Sequence, residues 1–457
     1  MKHRIFLALG PCCPLVLWAL WGSRMGFRIS MALGIALWMI FWWITRPVGL
    51  TVTALLPVVA NAILDLGPMD PLLAKYASSS IVLLFAATLL TLPWEKIGLD
   101  HRIALQCLGL IGTSMKSQIA VWFLASVLFS TVLPNAVVVT IFTPTALAML
   151  KAAGYGADAP AAGPILCAVC FGAVIGVVGT PVGGAMDVVA TSLYQQAMGQ
   201  EVLFSQWVLW FLRYLVAATL GTLALQLVLP CPVKQLEGTR EYFRREWKKL
   251  GPVTRDEKLC LGLFGTALVG SFLRPLYAPW FPQLQPAYLY GSVGFLLFFL
   301  TDRQGNPFLT WNYVQQHMIW GMLILFAGGL AMGNLLEASG ANAILARWLQ
   351  GMELEPGLPL YTAIALLACL FSETAGITIS SAMVVPLVIT LTRTEGMPLL
   401  PSWKMAVMAL NGAFLLPTGI RAIPVGCGMA PRYLWQRGLP VFVGRLGIAI
   451  LFGLLAQ

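Results

Sequence analysis

Polar and apolar positions fall in blocks rather than alternating, and the apolar blocks approach the roughly 20 residues that a helix needs to cross a bilayer. Runs at about 5–22, 29–45 and 50–66 come first, closed by Asp65, Asp70 and Lys75. A run at about 78–94 leads into the charged stretch from Glu95 to Arg102, which predicts a helix lying in the membrane interface. Later runs lie near 164–190, 205–230, 259–274, 286–301, 318–335, 404–428 and 436–456, with an interfacial piece from Glu337 to Gln350.

Two further runs, about 118–150 and 358–392, are broken at their centres. The first is interrupted by Pro134-Asn135. A proline lacks an N–H and restricts the residue before it, so a helix cannot run through. The second is interrupted by Gly376-Ile377. Each predicts two half-length helices meeting in a re-entrant hairpin. Open backbone at membrane depth is tolerated only inside protein or beside a water-filled cavity, so both tips are expected to line a site. Two spans are broken as well: 164–190 at Gly179-Thr180-Pro181-Val182-Gly183, and 404–428 between Pro417 and Pro424.

The plan occurs twice. Pro134 and Gly376 are 242 positions apart, as are Glu95 and Glu337, and Gly98 and Gly340. Leu84-Phe85-Ala86 matches Leu325-Phe326-Ala327, and Gly179-Thr180-Pro181 falls opposite Gly419-Ile420-Arg421. The fold expected is an all-α polytopic membrane protein with about 11 transmembrane segments. It has two inverted repeats, each with a re-entrant hairpin and a broken span. Residues 1–230 form the first repeat with hairpin 118–150, and 259–457 the second with hairpin 358–392. The segment 231–258 is a basic cytoplasmic linker. Paired repeats with interrupted segments point to the binding site of a secondary transporter.

Composition agrees. Of 457 residues, 59% are hydrophobic and 10% charged, which excludes a set of soluble domains. The net charge of +10 would suit nucleic acid were it not confined to loops beside apolar runs, as the positive-inside pattern requires. Threaded from a cytoplasmic N-terminus, the spans leave most Lys and Arg inside and the C-terminus, Gln457, outside. The nine cysteines lie scattered in apolar segments, and Cys167-Ala-Val-Cys170 reads as packing rather than a redox pair. His3, His101 and His317 lie at segment ends, which argues against a histidine metal site. The start, Met1 to Arg4 followed by apolar residues, resembles a signal peptide but is read as a retained helix.

Four breaks are expected to converge: Pro134-Asn135, Gly179-Thr180, Gly376 to Thr378 and Gly419 to Arg421. Helix N-termini there suit an anion, and bare carbonyls suit a small cation such as Na⁺. The breaks hold no paired carboxylates, Ser/His/Asp set or metal cluster, so binding and release are expected rather than enzyme chemistry. Glu373, inside the second hairpin, is a functional candidate by its depth alone. Asp187 reads as a residue near the outer water, Glu95 and Glu337 as interfacial anchors, and Arg445 as half of a structural ion pair.

These residues resemble the divalent anion/sodium symporter family over nearly the whole chain. Trp43-Ile-Thr-Arg-Pro-Val-Gly-Leu-Thr-Val-Thr-Ala-Leu-Leu-Pro57 looks like its early signature, as does Glu95-Lys-Ile-Gly-Leu-Asp-His-Arg-Ile-Ala-Leu105, and Phe414-Leu-Leu-Pro417 is similar to its segment before the second broken-span loop. The resemblance implies Na⁺-coupled transport of di- or tricarboxylates or sulfate, an elevator-type motion, and a homodimer in a bacterial inner or plasma membrane. It implies no organic cofactor. An anion exchanger, or another ion-transporter-superfamily carrier of the arsenite or Na⁺/H⁺ type, is the alternative.

By the same resemblance, Asn135, Thr180, Pro181, Thr378 and Arg421 would bind the anion. Ser130, Asn135 and Gly179 would hold one Na⁺, and Ser372, Ala375, Ile377 and Gly419 correspond to a second site. The family's Ser-Asn-Thr tips are here Pro134-Asn135-Ala136 and Gly376-Ile377-Thr378. Ile377 removes an oxygen from the second site. Arg421 stands in a loop where the family has Thr-Pro-Pro-Asn, and is expected either to replace the second cation and grip the anion in two-pronged fashion or to pair with Glu373.

Overall fold

The computed structural model describes residues 2–108, 112–341, 344, 358–394 and 397–455. Helices make up about three quarters of it, and no strand forms among the described residues. This is the economical way to bury backbone in lipid, because each N–H and C=O is satisfied within its own segment. Among the described residues, eight helices are long and apolar enough to cross a membrane by length and composition, and five shorter apolar helices accompany them. Most of the expected interfacial piece from Glu337 to Gln350 lies outside the described residues, as does Gln457.

The first hairpin consists of Met115–Ser130 and Asn135–Ala152. Its arms have 16 and 18 residues, about 24 and 27 Å at 1.5 Å per residue. They are therefore longer than the half-length helices expected. Ser114 caps the first arm by accepting the N–H of Ser117. Pro134 stands at the N-cap of the second, where its missing N–H removes no helical hydrogen bond. The second hairpin consists of Leu358–Ala375 and Ile377–Thr394. Only Gly376 separates its arms, at φ 92°, a left-handed conformation that glycine takes without strain.

Each hairpin packs on a broken span. The first broken span consists of Ala162–Gly176 and Ala185–Met198. Small residues let it approach the first hairpin: a Cβ on Gly172 would stand 2.4 Å from the Phe123 carbonyl oxygen, and one on Gly176 2.2 Å from that of Val127. The second broken span breaks earlier than Pro417. Its helix Leu399–Leu410 ends before Asn411, and a short helix Ala422–Gly426 follows. Phe204–Val228 and Arg432–Leu455 pack against these units, and Ser79–Ile97 packs on Pro286–Leu296.

The internal repetition recurs in space. The N–H of Gly98 closes on Glu95 O and that of Gly340 on Glu337 O, both glycines left-handed. Thr180 donates its hydroxyl to Thr131 O, and Thr418 donates its own to Glu373 O. Thr131 and Glu373 are again 242 positions apart. These contacts set Thr180 opposite Thr418, two residues away from the register read in the sequence. Between the halves, helix Thr239–Leu250 forms within the polar linker 231–258. It is tied to the interfacial helix Leu99–Leu108 by Arg102, which reaches Leu250 O, Gly251 O and the Glu257 carboxylate.

Candidate functional site

Both hairpin tips open onto one cavity of about 330 Å³. Pro134, Asn135 and Ala136 line it from the first tip, and Gly376, Ile377 and Thr378 from the second. Thr418, Gly419, Ile420 and Arg421 line it from the second broken span, and Ala185 from the first. Three helices of fourteen residues or more thus begin at this cavity, at Asn135, Ala185 and Ile377. Val137 and Asp187 turn their N–H groups back to Pro134 O and Gly184 O, and the N–H groups of the starting residues, which precede any intrahelical partner, carry partial positive charge, which favours an anion. Most of the remaining wall is aliphatic, from Leu50, Leu84, Leu323 and Ile423 among others. The volume suits a small molecule.

The first tip is built from backbone. Ser130 is fully buried and donates to Ala173 O at 2.7 Å. Gly179 packs on Thr131, and Gly183 packs on the Ser130 carbonyl, where a Cβ would stand 2.6 Å from the oxygen. Ser130 and Gly179 therefore meet at the turn that leads to Asn135, and only Asn135 of the three reaches the cavity. Thr180 and Pro181 stand back from the cavity, and the Thr180 hydroxyl is engaged by Thr131 O.

Sequence comparison places the arrangement in a family. The citrate transporter family model matches residues 40–410. The chain belongs to the citrate transporter family. It is a membrane transporter, not an enzyme. The sodium-dependent dicarboxylate transporter SdcS of Staphylococcus saprophyticus is 26% identical over 421 residues, covering 87% of this chain and 80% of the relative. SdcS of Staphylococcus aureus strain NCTC 8325 is also 26% identical, covering 87% and 79%. Among solved structures, the YdaH transporter of Alcanivorax borkumensis superposes with a TM-score of 0.56 at 15% identity, over 84% of this chain and 86% of that one. MtrF of Neisseria gonorrhoeae does so with a TM-score of 0.50 at 11% identity, over 84% and 82%. Both structures share the fold.

Within this transporter, the second tip is built around charge. Ser372 is fully buried and turned to Cys369 O at 3.0 Å, Ala375 ends the first arm, and Gly419 sits at φ 55°. The Glu373 carboxylate accepts the N–H groups of Phe414, Leu415 (2.8 Å) and Leu416 (3.0 Å). It thereby caps the open backbone of the second break. Arg421 Nη2 lies 3.4 Å from the same carboxylate. Arg421 Nε donates to Leu416 O at 2.6 Å, and Nη2 to the Thr418 hydroxyl at 2.7 Å. Two of the three guanidinium nitrogens are thus occupied. Nη1 alone has no hydrogen bond among the described residues, so the two-pronged grip on an anion is not the geometry present. Pairing with Glu373 is.

The expectations for Arg445 and Asp187 change too. Arg445 is buried without an acidic partner among the described residues. Its guanidinium lies 4.7 Å over the Tyr214 ring and donates to Asn411 O at 3.3 Å. Asp187 is fully buried rather than near water. Cys167 and Cys170 are free and buried, and no group of three or more metal-ligating side chains forms among the described residues. Arg46, Thr88 and Thr418 also line the cavity, and sequence reading missed them. Arg46 had a signal: an arginine before Pro47 at the end of an apolar run. It closes helix Phe27–Thr45 at φ 51° and is exposed.

Proposed function

We propose that this chain is a secondary active transporter of small carboxylate anions, di- or tricarboxylates in the first place, that couples uptake to Na⁺ and works by alternating access. The observation that carries the reading is the cavity where three helix N-termini meet Asn135, Thr378 and Arg421 in a citrate transporter family member. Carboxylates would accept from the free N–H groups and from the Asn135 and Thr378 side chains, with the Arg421 charge behind them. Arg46 would draw the anion in.

The curated relatives are named for sodium dependence. One Na⁺ would take oxygens from Ser130, Asn135 and Gly179, whose meeting at the first tip supports this. At the second tip, Ser372, Ala375 and Gly419 are the corresponding residues. There the Glu373–Arg421 pair already braces the break, and Ile377 offers no side-chain oxygen. The reading is therefore a carrier with fewer Na⁺ than a two-site one, and an exchanger is its limiting case. Packing of each hairpin on its own broken span supports movement of the two as one elevator-type body. Homodimer formation through the remaining helices, residence in a bacterial plasma membrane, and a cytoplasmic linker at 231–258 complete the proposal.

The test is thermal stabilisation of purified protein by a panel of anions, with and without Na⁺. Succinate or citrate at about 100 times Kd stabilises by about 2.7 kcal/mol. Stabilisation by sulfate alone would replace the substrate class, and stabilisation indifferent to Na⁺ would favour exchange. No stabilisation by any carboxylate would overturn the reading.

A further inference from the structure

One buried group plays no part in the anion site. Asp187 lies in the first turn of Ala185–Met198 and is fully buried. Neither carboxyl oxygen has a hydrogen-bond partner among the described residues, and no Lys, Arg or His pairs with it there. Glu373, buried almost as deeply, takes three backbone N–H groups and an arginine. Two carboxyls at similar burial thus have opposite surroundings. An ionised carboxylate without partners is costly to bury, and a proton on it removes most of that cost.

The position is also informative. Ala185 lines the anion cavity, and at 3.6 residues per turn Asp187 lies about 200° round the helix from it. Asp187 shares its face with Thr191, whose hydroxyl is likewise buried without a partner, and with Tyr194, which packs 4.6 Å from Trp403. The neighbouring Met186 carbonyl accepts Ser381 Oγ from the second hairpin at 3.2 Å, and Ala190 O accepts Trp403 Nε1 from the second broken span at 3.0 Å. Asp187 therefore stands at the seam between the first broken span and the units of the second half. The charged groups on the helices around it lead elsewhere. Arg393 is held by Ala197 O, Lys75 by Gln196, and Lys96 by Pro307 O. Glu95, Glu337, Lys404 and Arg213 on the other packed helices form no ion pair with it.

We propose that Asp187 is a proton-binding site: it is a carboxylic acid while this seam is closed, and its O–H bond gives the proton to water when the seam opens during transport. This adds a proton to the coupling of the proposed anion carrier and rests on that reading.

The first arm of the test is equilibrium stability. Asp187→Asn keeps the shape of the neutral acid. The folded wild type holds a proton that the unfolded chain releases above about pH 3.9, so its stability falls as pH rises. From about pH 5 to about pH 8.5, the thermal midpoint in detergent should fall less steeply in Asp187→Asn than in wild type. The second arm is flux in proteoliposomes that enclose a pH dye under a succinate gradient. Wild type should move protons with succinate, Asp187→Asn about tenfold fewer, and Asp187→Glu should retain the flux. Equal pH slopes and equal proton flux in wild type and Asp187→Asn would overturn the assignment. Wild type that counterflows labelled succinate without moving protons would overturn it while sparing the anion reading. Wild type that does not counterflow succinate would remove the anion reading, and the stability arm would still decide the proton. Should Asp187→Asn fail to fold, infrared spectra of wild type decide: a carboxylic-acid C=O band that persists near neutral pH and shifts in Asp187→Glu supports the site, and its absence rejects it.

Discussion

Asn135 is the one polar side chain that the first tip presents to the cavity, and it begins the helix Asn135–Ala152 there. Asn135→Ala should lower succinate uptake at least about tenfold, the loss of one charge-assisted hydrogen bond plus a cation ligand. The protein should still reach the membrane, and uptake normalised to membrane protein measures it. Wild-type kinetics would remove Asn135 from the site. Glu373 and Arg421 make the opposite kind of contribution. Both are buried and each is the other's ion-pair partner, so Glu373→Gln should destabilise by about 3–5 kcal/mol by stranding the arginine. Glu373→Gln combined with Arg421→Gln should recover much of that loss, which a double-mutant cycle of denaturation in detergent reads directly. Full additivity would mean that the pair does not brace the second break.

Close approach between the first hairpin and the first broken span depends on two missing side chains. Gly176→Ala would place a methyl 2.2 Å from the Val127 carbonyl oxygen and 2.8 Å from Ser130 Cβ, atoms that cannot yield without moving backbone. It should destabilise by about 1–3 kcal/mol and lower the monodisperse yield in detergent. Gly262→Ala is the control. A Cβ at Gly262 meets nothing within 4 Å, and alanine is the better helix former, so stability should hold or rise. If Gly176→Ala matched that control, the hairpin and broken span would not be locked as one body.

Orientation belongs to the whole molecule. The linker carrying Arg244 and Arg245 should face the cytoplasm, because basic loops stay on that side. Single cysteines at 245 and 457 in a cysteine-free background, probed on intact cells with an impermeant maleimide, should label only at 457. Labelling at 245 alone would reverse the membrane orientation and, with it, the face from which each hairpin enters.

Much of this was legible in the sequence. Hydropathy blocks fix where helices run, because an apolar segment in lipid has no other way to satisfy its backbone. Pro134-Asn135 and Gly376 fix where two of them turn, because those residues cannot continue a helix or can adopt φ values that others avoid. The repetition at 242 positions made the two halves comparable and located the breaks, and the family resemblance named Asn135, Thr378 and Arg421 within them. Tertiary structure alone decided the rest, since a partner distant in the chain leaves no local pattern. The sequence left Arg421 open between gripping an anion and pairing with Glu373, and only the fold, which brings the second hairpin to this loop, put Nη2 beside the Glu373 carboxylate. Nothing near Arg445 says that its neighbour is an aromatic ring rather than an acid. Asp187 is the sharpest case. A lone aspartate three residues past Gly184 reads as a residue near the outer water, and only the packing of the two halves around it encloses it without a partner among the described residues.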